Sequence, residues 1–158
     1  MAKKVLSIIL DRIERAVKTV PLRPHAKDIE ERIRRRTRVG QGLAETQRGA
    51  KQKKLKALSD KYKKARKKNK AKLSSNTKPA KSNLTSTGQL LDAITGRVSG
   101  NTIILDLKEG RDDGVKNKDI VGWQRKQGRD FFEVSDKELR GLQSNIKKDL
   151  IKRLKQKK

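Results

Sequence analysis

A single run of lysines sets the strongest limit on how this chain can fold. Residues 51–81 hold 14 lysines and arginines against one aspartate, so they supply half of the net charge of +26. Repulsion among so many cations opposes burial, and only 32% of the chain is hydrophobic and 3% aromatic. We therefore expect one thin-cored domain with appendages, part of it extended or covered by partner molecules.

The remaining charge divides the chain into unlike parts. Residues 82–136 hold 8 basic and 9 acidic side chains, whereas residues 1–50 and 137–158 each carry +7. A neutral module with a basic arm differs from a uniformly basic protein of the ribosomal type. The sequence predicts three parts: an N-terminal helical segment over 1–36, a basic extended arm with a short helix and linker over 37–83, and an α+β module over 84–158.

Cysteine and membrane signals are both missing from the sequence. Without cysteine, disulfides and thiolate metal sites are excluded. No apolar run approaches the length of a membrane span. The N-terminal apolar stretch is interrupted by Asp11 and Arg12, so we expect an amphipathic helix of a cytoplasmic protein rather than a signal peptide.

The first half of the chain predicts helices separated by irregular segments. Apolar residues at three- and four-residue spacing predict a helix over 3–19, which Pro21 and Pro24 end. Asp28 predicts the start of a second helix over 29–36. The next three segments are predicted as an extended arm or loop over 37–52, a helix over 53–70 and a flexible linker over 71–83.

The second half carries the strand signals. A short helix over 88–94, capped by Thr87, precedes a hairpin with strands over 97–99 and 102–107 that turns at Gly100-Asn101. The elements that follow are a short helix within 116–127, a strand of Phe131, Phe132 and Val134, a capping box from Ser135 to Glu138 and a closing helix over 136–155. These signals predict an α+β fold: a small antiparallel β-sheet flanked by N- and C-terminal helices, with a long basic arm.

Catalytic and metal-binding patterns are weak. The only histidine, His25, follows Pro24 and has no carboxylate or histidine cluster around it in sequence, so we interpret it as a loop residue. Asp112 and Asp113 lack the alternating oxygen ligands of a calcium loop and are predicted to form a solvated turn. No glycine-rich phosphate loop is present. We expect no enzymatic activity, no catalytic or metal-binding residue and no cofactor.

The lysine run is the first candidate interaction site. It can bind a nucleic-acid backbone without sequence preference, or it can contact an acidic surface of a neighbouring protein, and the sequence leaves both open. Only Tyr62 is available there for stacking on single-stranded bases. The predicted contact residues are Lys63, Lys64, Arg66, Lys67 and Lys68.

Aromatic residues of the neutral module are the second candidate site. Because strand neighbours alternate, we expect one of Phe131 and Phe132 in the core and the other beneath the closing helix or another subunit. The predicted subunit or partner interface comprises Phe131, Phe132, Arg129, Trp123 and Tyr62.

Three elements, taken in order, resemble a known protein family. The first is Leu58-Ser59, Tyr62 and Lys63. The second is Leu84, Thr87, Gly88, Gln89, Leu90 and Ile94. The third is Arg129, Phe131, Phe132, Val134 and Ser135, followed by an amphipathic helix. This order resembles the virion-morphogenesis or minor tail protein family of tailed bacteriophages, whose members complete tails and join heads to tails. Asp130 stands where the family usually has proline, and Trp123-Gln124 and Gly128 stand where it often has His-Gln-x-Gly.

The resemblance implies an α+β module assembled into a homo-oligomeric ring, commonly of six copies. It implies portal, adaptor, tail-terminator or tail-tube proteins as partners, and a place in the neck or tail of a virion made in the host cytoplasm. The residues leave one alternative from another class, a basic nucleic-acid-binding protein of ribosomal or chromatin-like type without sequence preference. We expect no membrane contact.

Overall fold

The computed structural model describes residues 17–46, 49–69, 80, 84 and 88–156. Within these residues the chain forms five helices and two antiparallel sheets of two strands each. The elements run in the order α1 (Leu22–Arg38), β1 (Gln41–Thr46), β2 (Gly49–Lys54), α2 (Asp60–Lys68), α3 (Gln89–Asp92), β3 (Ile94–Ser99), β4 (Thr102–Leu107), α4 (Asn117–Lys126) and α5 (Asp136–Gln156). The predicted α+β class is confirmed, with two small sheets between the flanking helices rather than one.

Helix α1 begins directly after Pro21 and is longer than predicted. Pro24 lies in its first turn, where a missing N–H costs no helical hydrogen bond, so this proline does not end a helix. The predicted bounds of 29–36 are too short at both ends. His25 is buried in the same turn, so its prediction as a loop residue is wrong. The predicted helix over 3–19 lies outside the described residues except for its last three.

Helix α1 packs closely on the β3–β4 hairpin. Ile33 is buried in one cluster with Ile94 and Leu107. A Cβ at Gly96 would lie 2.5 Å from the carbonyl oxygen of Ala26, so a glycine is needed for this approach of helix to strand. The predicted turn at Gly100-Asn101 is confirmed, and β3 begins three residues earlier than expected.

The β1–β2 hairpin occupies much of the segment that we predicted as an extended arm or loop, and that prediction is wrong. Its two strands pair from Gln41 with Lys54 to Thr46 with Gly49. The amide of Leu43 on β1 also donates to the carbonyl of Asp130 (2.7 Å). A Cβ at Gly42 would overlap that same carbonyl, so glycine admits the contact. Backbone hydrogen bonds therefore hold this pair of strands together, although the two strands have too few apolar side chains to be recognised from the sequence.

Phe131 is the largest fully buried side chain and belongs to the main core cluster. The cluster consists of Ile33, Leu90, Leu91, Ala93, Ile94, Leu107 and Phe131. Phe132 is half-buried beside it, with the two ring centroids 6.4 Å apart. The predicted strand of Phe131, Phe132 and Val134 is wrong, because this segment is irregular and its carbonyls bond a side chain of α1.

The remaining helices follow the sequence signals with shifted ends. Helix α2 starts at Asp60, not at residue 53, because Lys53 and Lys54 complete β2; the hydroxyl of Ser59 caps it. Helix α3 is shorter than predicted, and its expected cap Thr87 lies outside the described residues. Helices α4 and α5 match their predictions within one residue. No described helix is long and apolar enough to cross a membrane.

Contacts cross the predicted boundaries between the three parts of the chain. Helix α1, from the N-terminal part, contacts β1, β3, β4 and α5, and β2 contacts α5. The division into 1–36, 37–83 and 84–158 remains a prediction about independent folding. In the described structure, the first and second parts both pack on the third.

Candidate functional site

Arg36 is the centre of a buried polar group that connects four parts of the fold. Its side chain is 3% exposed, and its Nη1 lies 2.5 Å from Oε2 of Glu138. Its Nη2 donates to the carbonyls of Phe131 (2.6 Å) and Glu133 (3.0 Å). Burial lowers the pKa of Arg36, while the nearby carboxylates of Glu138 and Asp130 act to raise it.

The capping box at the start of α5 completes this group. The amide and hydroxyl of Ser135 both donate to Oε2 of Glu138 (2.8 and 2.6 Å), and the amide of Glu138 donates back to the Ser135 hydroxyl (3.3 Å). Gln52 of β2 donates to the same hydroxyl (3.2 Å). The predicted box is confirmed, and we name Arg36, Gln52, Ser135 and Glu138 the arginine joint. Since the Ser135 side chain is fully buried, its hydroxyl has no access to a substrate.

A second arginine of α1 holds the start of the β3–β4 hairpin. Arg34 donates to the carbonyls of Leu91 (3.0 Å) and Asp92 (3.2 Å) in α3 and of Ile94 (2.7 Å) at the start of β3. Its Nη1 also lies 2.7 Å from Glu30. Neither arginine was predicted as a site residue from the sequence. The available signal for Arg36 was its spacing, three residues after Ile33 and seven after Ile29, which places it on the buried side of α1.

The exposed lysines form the other candidate site. We name it the lysine surface: Lys51, Lys53, Lys54, Lys56, Lys61, Lys64, Lys67 and Lys68, all exposed. It is anchored beneath by Arg129, which donates to the carbonyls of Lys56 (3.2 Å) and Ala57 (3.0 Å). Leu55 and Leu58 are each 6% exposed and fix the same loop. The backbone that carries these lysines is therefore held in place by contacts with the rest of the fold.

The exposed lysines of helix α2 lie on one side of it. At about 100° per residue, Lys61, Lys64, Lys67 and Lys68 fall within an arc of about 120°. Tyr62 and Arg66 lie on the opposite side, where Arg66 is 5% exposed and packs 5.9 Å from the Tyr62 ring. The prediction of Arg66 as a contact residue is therefore not supported by its position.

Lys63, also among the predicted contact residues, lies toward the inner side of α2. Its Nζ pairs with Asp60 at 2.9 Å, which lowers the pKa of that carboxyl through a hydrogen bond. Lys64, Lys67 and Lys68 remain as the exposed part of the predicted set.

A groove of about 890 Å³ separates the base of the lysine surface from α4. Its lining residues are Lys56, Ala57, Leu58, Ser59, Tyr62, Arg66, Leu84, Leu90, Arg111, Ile120, Gln124, Gln127 and Arg129. Arg111 pairs with Asp113 (2.6 Å), and Arg129 bonds Gln127 (2.9 Å) as well as the two loop carbonyls. These cations of the groove thus already have acceptors within the chain.

The five predicted interface residues have different environments. Trp123 is 53% exposed on α4, and Tyr62 is 46% exposed at the groove. Arg129 lines the same groove, but its guanidinium already donates to the carbonyls of Lys56 and Ala57. Phe132 is half-buried. Phe131 is fully buried, so it cannot contact a partner in the folded chain. Trp123 and Tyr62 are the two aromatic side chains of this set that a partner can reach.

Two further groups of titratable side chains lie close together in the described structure. Glu45, Asp130 and Glu133 have the spacing of a metal site, but Arg125 donates to Asp130 (2.8 Å) and Glu133 (2.5 Å). The pairing with Asp130 raises the pKa of Arg125. His25 Nε2 lies 2.9 Å from Asp149, although its N–H is not aligned for a hydrogen bond.

No protein-family model, curated protein or solved structure matches this chain. Besides the core cluster, three features of the fold bear on its function. These are the arginine joint, the lysine surface and the exposed apolar side chains of α4 and α5.

Proposed function

We propose that this chain is a structural protein of a tailed-bacteriophage particle, without catalytic activity. It completes the tail or joins head to tail by assembling into a ring, with six copies as the expected number. Its proposed place is the neck or tail end of the virion, against portal, adaptor, tail-terminator or tail-tube proteins.

The observation that supports this proposal most is that the second and third sequence elements, which start at Leu84 and Arg129, pack together in one core. Leu90 and Ile94 from the second element share the main cluster with Phe131 from the third, and Leu84 and Val134 pack against it. Residues that resemble one family in sequence order thus also form one structural unit. Arg129 and Ser135 of the third element have separate roles: Arg129 anchors the loop between β2 and α2, and Ser135 caps α5.

The departure at Asp130 is compatible with the proposal. The backbone of Asp130 serves as a carbonyl acceptor for β1, and proline would supply the same acceptor. The aspartate carboxylate adds an ion pair with Arg125 (2.8 Å). The substitution therefore preserves the contact between β1 and this segment.

Exposed apolar side chains give the surface that ring formation would cover. Trp123 on α4 is 53% exposed, and Leu139 and Ile151 on α5 are 44% and 42% exposed. Large aromatic side chains are enriched at the centres of protein interfaces. A chain with so small a core gains stability when subunits bury such residues against each other.

Size-exclusion chromatography with light scattering on the full chain tests the proposal. We expect a multiple of the 18.0 kDa chain mass, with a sixfold mass favoured, at salt that screens the net charge. Trp123→Ala should weaken assembly, whereas Val39→Ala, at the most exposed large apolar residue described, should not. A monomer at every concentration that binds DNA tightly would refute the ring and favour the nucleic-acid alternative.

A further inference from the structure

We propose that the lysine surface is a preformed binding site for the phosphate backbone of double-stranded nucleic acid. This inference goes beyond the assembly role and is independent of it, since it rests on the exposure, composition and anchoring of these eight lysines. It also selects between the two partners, nucleic acid and acidic protein, that the sequence left open.

The site is ordered before any partner binds. The loop between β2 and α2 is held by two hydrogen bonds from Arg129, and the amide of Leu55 donates to the carbonyl of Gly40 (2.8 Å). Buried Leu55 and Leu58 fix the loop from below. A ligand of this surface therefore orders side chains only, which reduces the entropy lost on binding relative to a flexible arm.

The identity of the exposed cations favours phosphate over protein carboxylates. All eight are lysines, while the one arginine of α2, Arg66, is turned inward beneath Tyr62. Lysine is strongly hydrated and is depleted at protein–protein interfaces, where arginine is enriched. A solvated ammonium suits a backbone that is contacted through water-exposed point charges, with counterion release as the driving force.

The shape of the surface favours a duplex over a single strand. Single-strand sites use aromatic platforms on which bases stack, and Tyr62 lies on the side of α2 opposite to the four lysines. From Lys61 to Lys68 the helix rises about 10 Å. The same length of B-form duplex carries about six phosphate charges, enough to engage all four lysines of α2.

Binding of a labelled duplex of mixed sequence to the full chain, measured at a series of KCl concentrations, tests the site. The first variant changes Lys61, Lys64, Lys67 and Lys68 to Gln. The matched control changes Lys137, Lys147, Lys148 and Lys152 of α5, also exposed, to Gln and removes the same charge. We expect the slope of log K against log salt to fall by about 3.6 in the first variant and by less than about 1 in the control.

Affinity at fixed salt gives the second readout. The α2 variant should bind the duplex at least about tenfold more weakly at about 0.1 M salt, and the α5 control within about threefold of the native chain. Equal losses in the two variants would overturn the proposal, because overall charge would then explain the binding. Light scattering of the same variants reports ring formation separately, so failure of this site and failure of the assembly role are distinguishable.

Two additional arms separate the alternatives. Polyglutamate at equal charge concentration should compete at least about tenfold more weakly than unlabelled duplex; equal or stronger competition would point instead to an acidic protein. Arg129→Lys keeps the charge but loses the paired hydrogen bonds to Lys56 and Ala57, and should weaken duplex binding several-fold. Native affinity in this variant would refute a preformed site.

Discussion

The arginine joint and the lysine surface place cations of equal charge in opposite environments. Arg36 is buried and satisfies a carboxylate and two backbone carbonyls, whereas the eight lysines of the surface are exposed. A planar guanidinium with five donors can replace backbone pairing in an irregular buried segment, and a compact, strongly hydrated ammonium cannot. In a chain with little apolar material, arginine thus takes part in the core while lysine remains available to a partner.

Removing the buried cation is the largest expected effect on the free energy of unfolding. Arg36→Met leaves Glu138 buried without its counter-charge and leaves the carbonyls of Phe131 and Glu133 without this donor. We expect a loss of about 3–5 kcal/mol, measured by urea denaturation. Arg36→Lys loses the second nitrogen that bonds the two carbonyls but keeps the positive charge beside Glu138. Its cost in stability should therefore be smaller than that of Arg36→Met.

The control for Arg36 is its neighbour in the chain. The Arg35 side chain is 71% exposed, and Arg35→Met should change stability by no more than about 0.5 kcal/mol. Adding Glu138→Gln to Arg36→Met should recover part of the loss, because no unpaired buried charge then remains. Equal effects of Arg36→Met and Arg35→Met would show that the joint does not stabilise the fold.

Close packing on the buried side of α1 gives the next largest effect. In Gly96→Ala the new methyl would lie 2.5 Å from the backbone of Ala26, so helix and strand must separate, at a cost of about 1–3 kcal/mol. Gly122→Ala on α4 is the control, since outside the backbone of its own helix and its chain neighbours no atom lies within 4 Å of the added Cβ; it should stabilise by about 0.5–1 kcal/mol. Thermal unfolding of both variants checks the opposite signs. A neutral Gly96→Ala would contradict the described α1–β3 contact.

Local signals in the sequence predicted the elements that depend on local interactions. Gly100-Asn101 predicted the turn of β3–β4, and Ser135 with Glu138 predicted the start of α5. The β1–β2 hairpin was missed because its strands carry few apolar side chains, and because the bond from Leu43 to the carbonyl of Asp130 joins positions far apart in the chain. The strand predicted at Phe131 fails for the same reason: Arg36, 95 residues away, takes its carbonyl.

For the candidate sites, too, local features were predictable from the sequence and contacts between distant residues were not. The cationic character of α2 follows from composition, but the inward turn of Arg66 depends on its contact with Tyr62 and on the groove behind them. The burial of Arg36 follows from the helical spacing of the buried isoleucines before it, but its bonding partners lie far along the chain and could not be predicted. The interface roles of Trp123 and Tyr62 stay predictions, although their exposure is compatible with them.

The pair of Arg111 and Asp113, whose carboxylate is half-exposed, offers the smallest and sharpest comparison with the buried joint. Arg111 donates twice to Asp113 (2.9 and 2.6 Å), and this bonding lowers the pKa of that carboxyl to about 2 from its ordinary 3.8. A depressed pKa in the folded state stabilises the fold above pH 3.8, and this contribution is lost as pH falls from 3.8 towards 2. Since the Asp113 side chain is half-exposed and water screens its charge, the effect on stability at neutral pH should be small.

Arg111→Gln should therefore return the pKa of Asp113 towards 3.8, as measured by carboxyl titration in NMR spectra. Lys108→Gln removes the same charge from the same stretch of chain without touching the pair, and should leave that titration where it is. An unchanged pKa in Arg111→Gln would mean that the pair is not formed in solution. The expected result, a large pKa change with little change in neutral stability, would show that arginine pairing stabilises this protein appreciably only where water is excluded, as it is around Arg36.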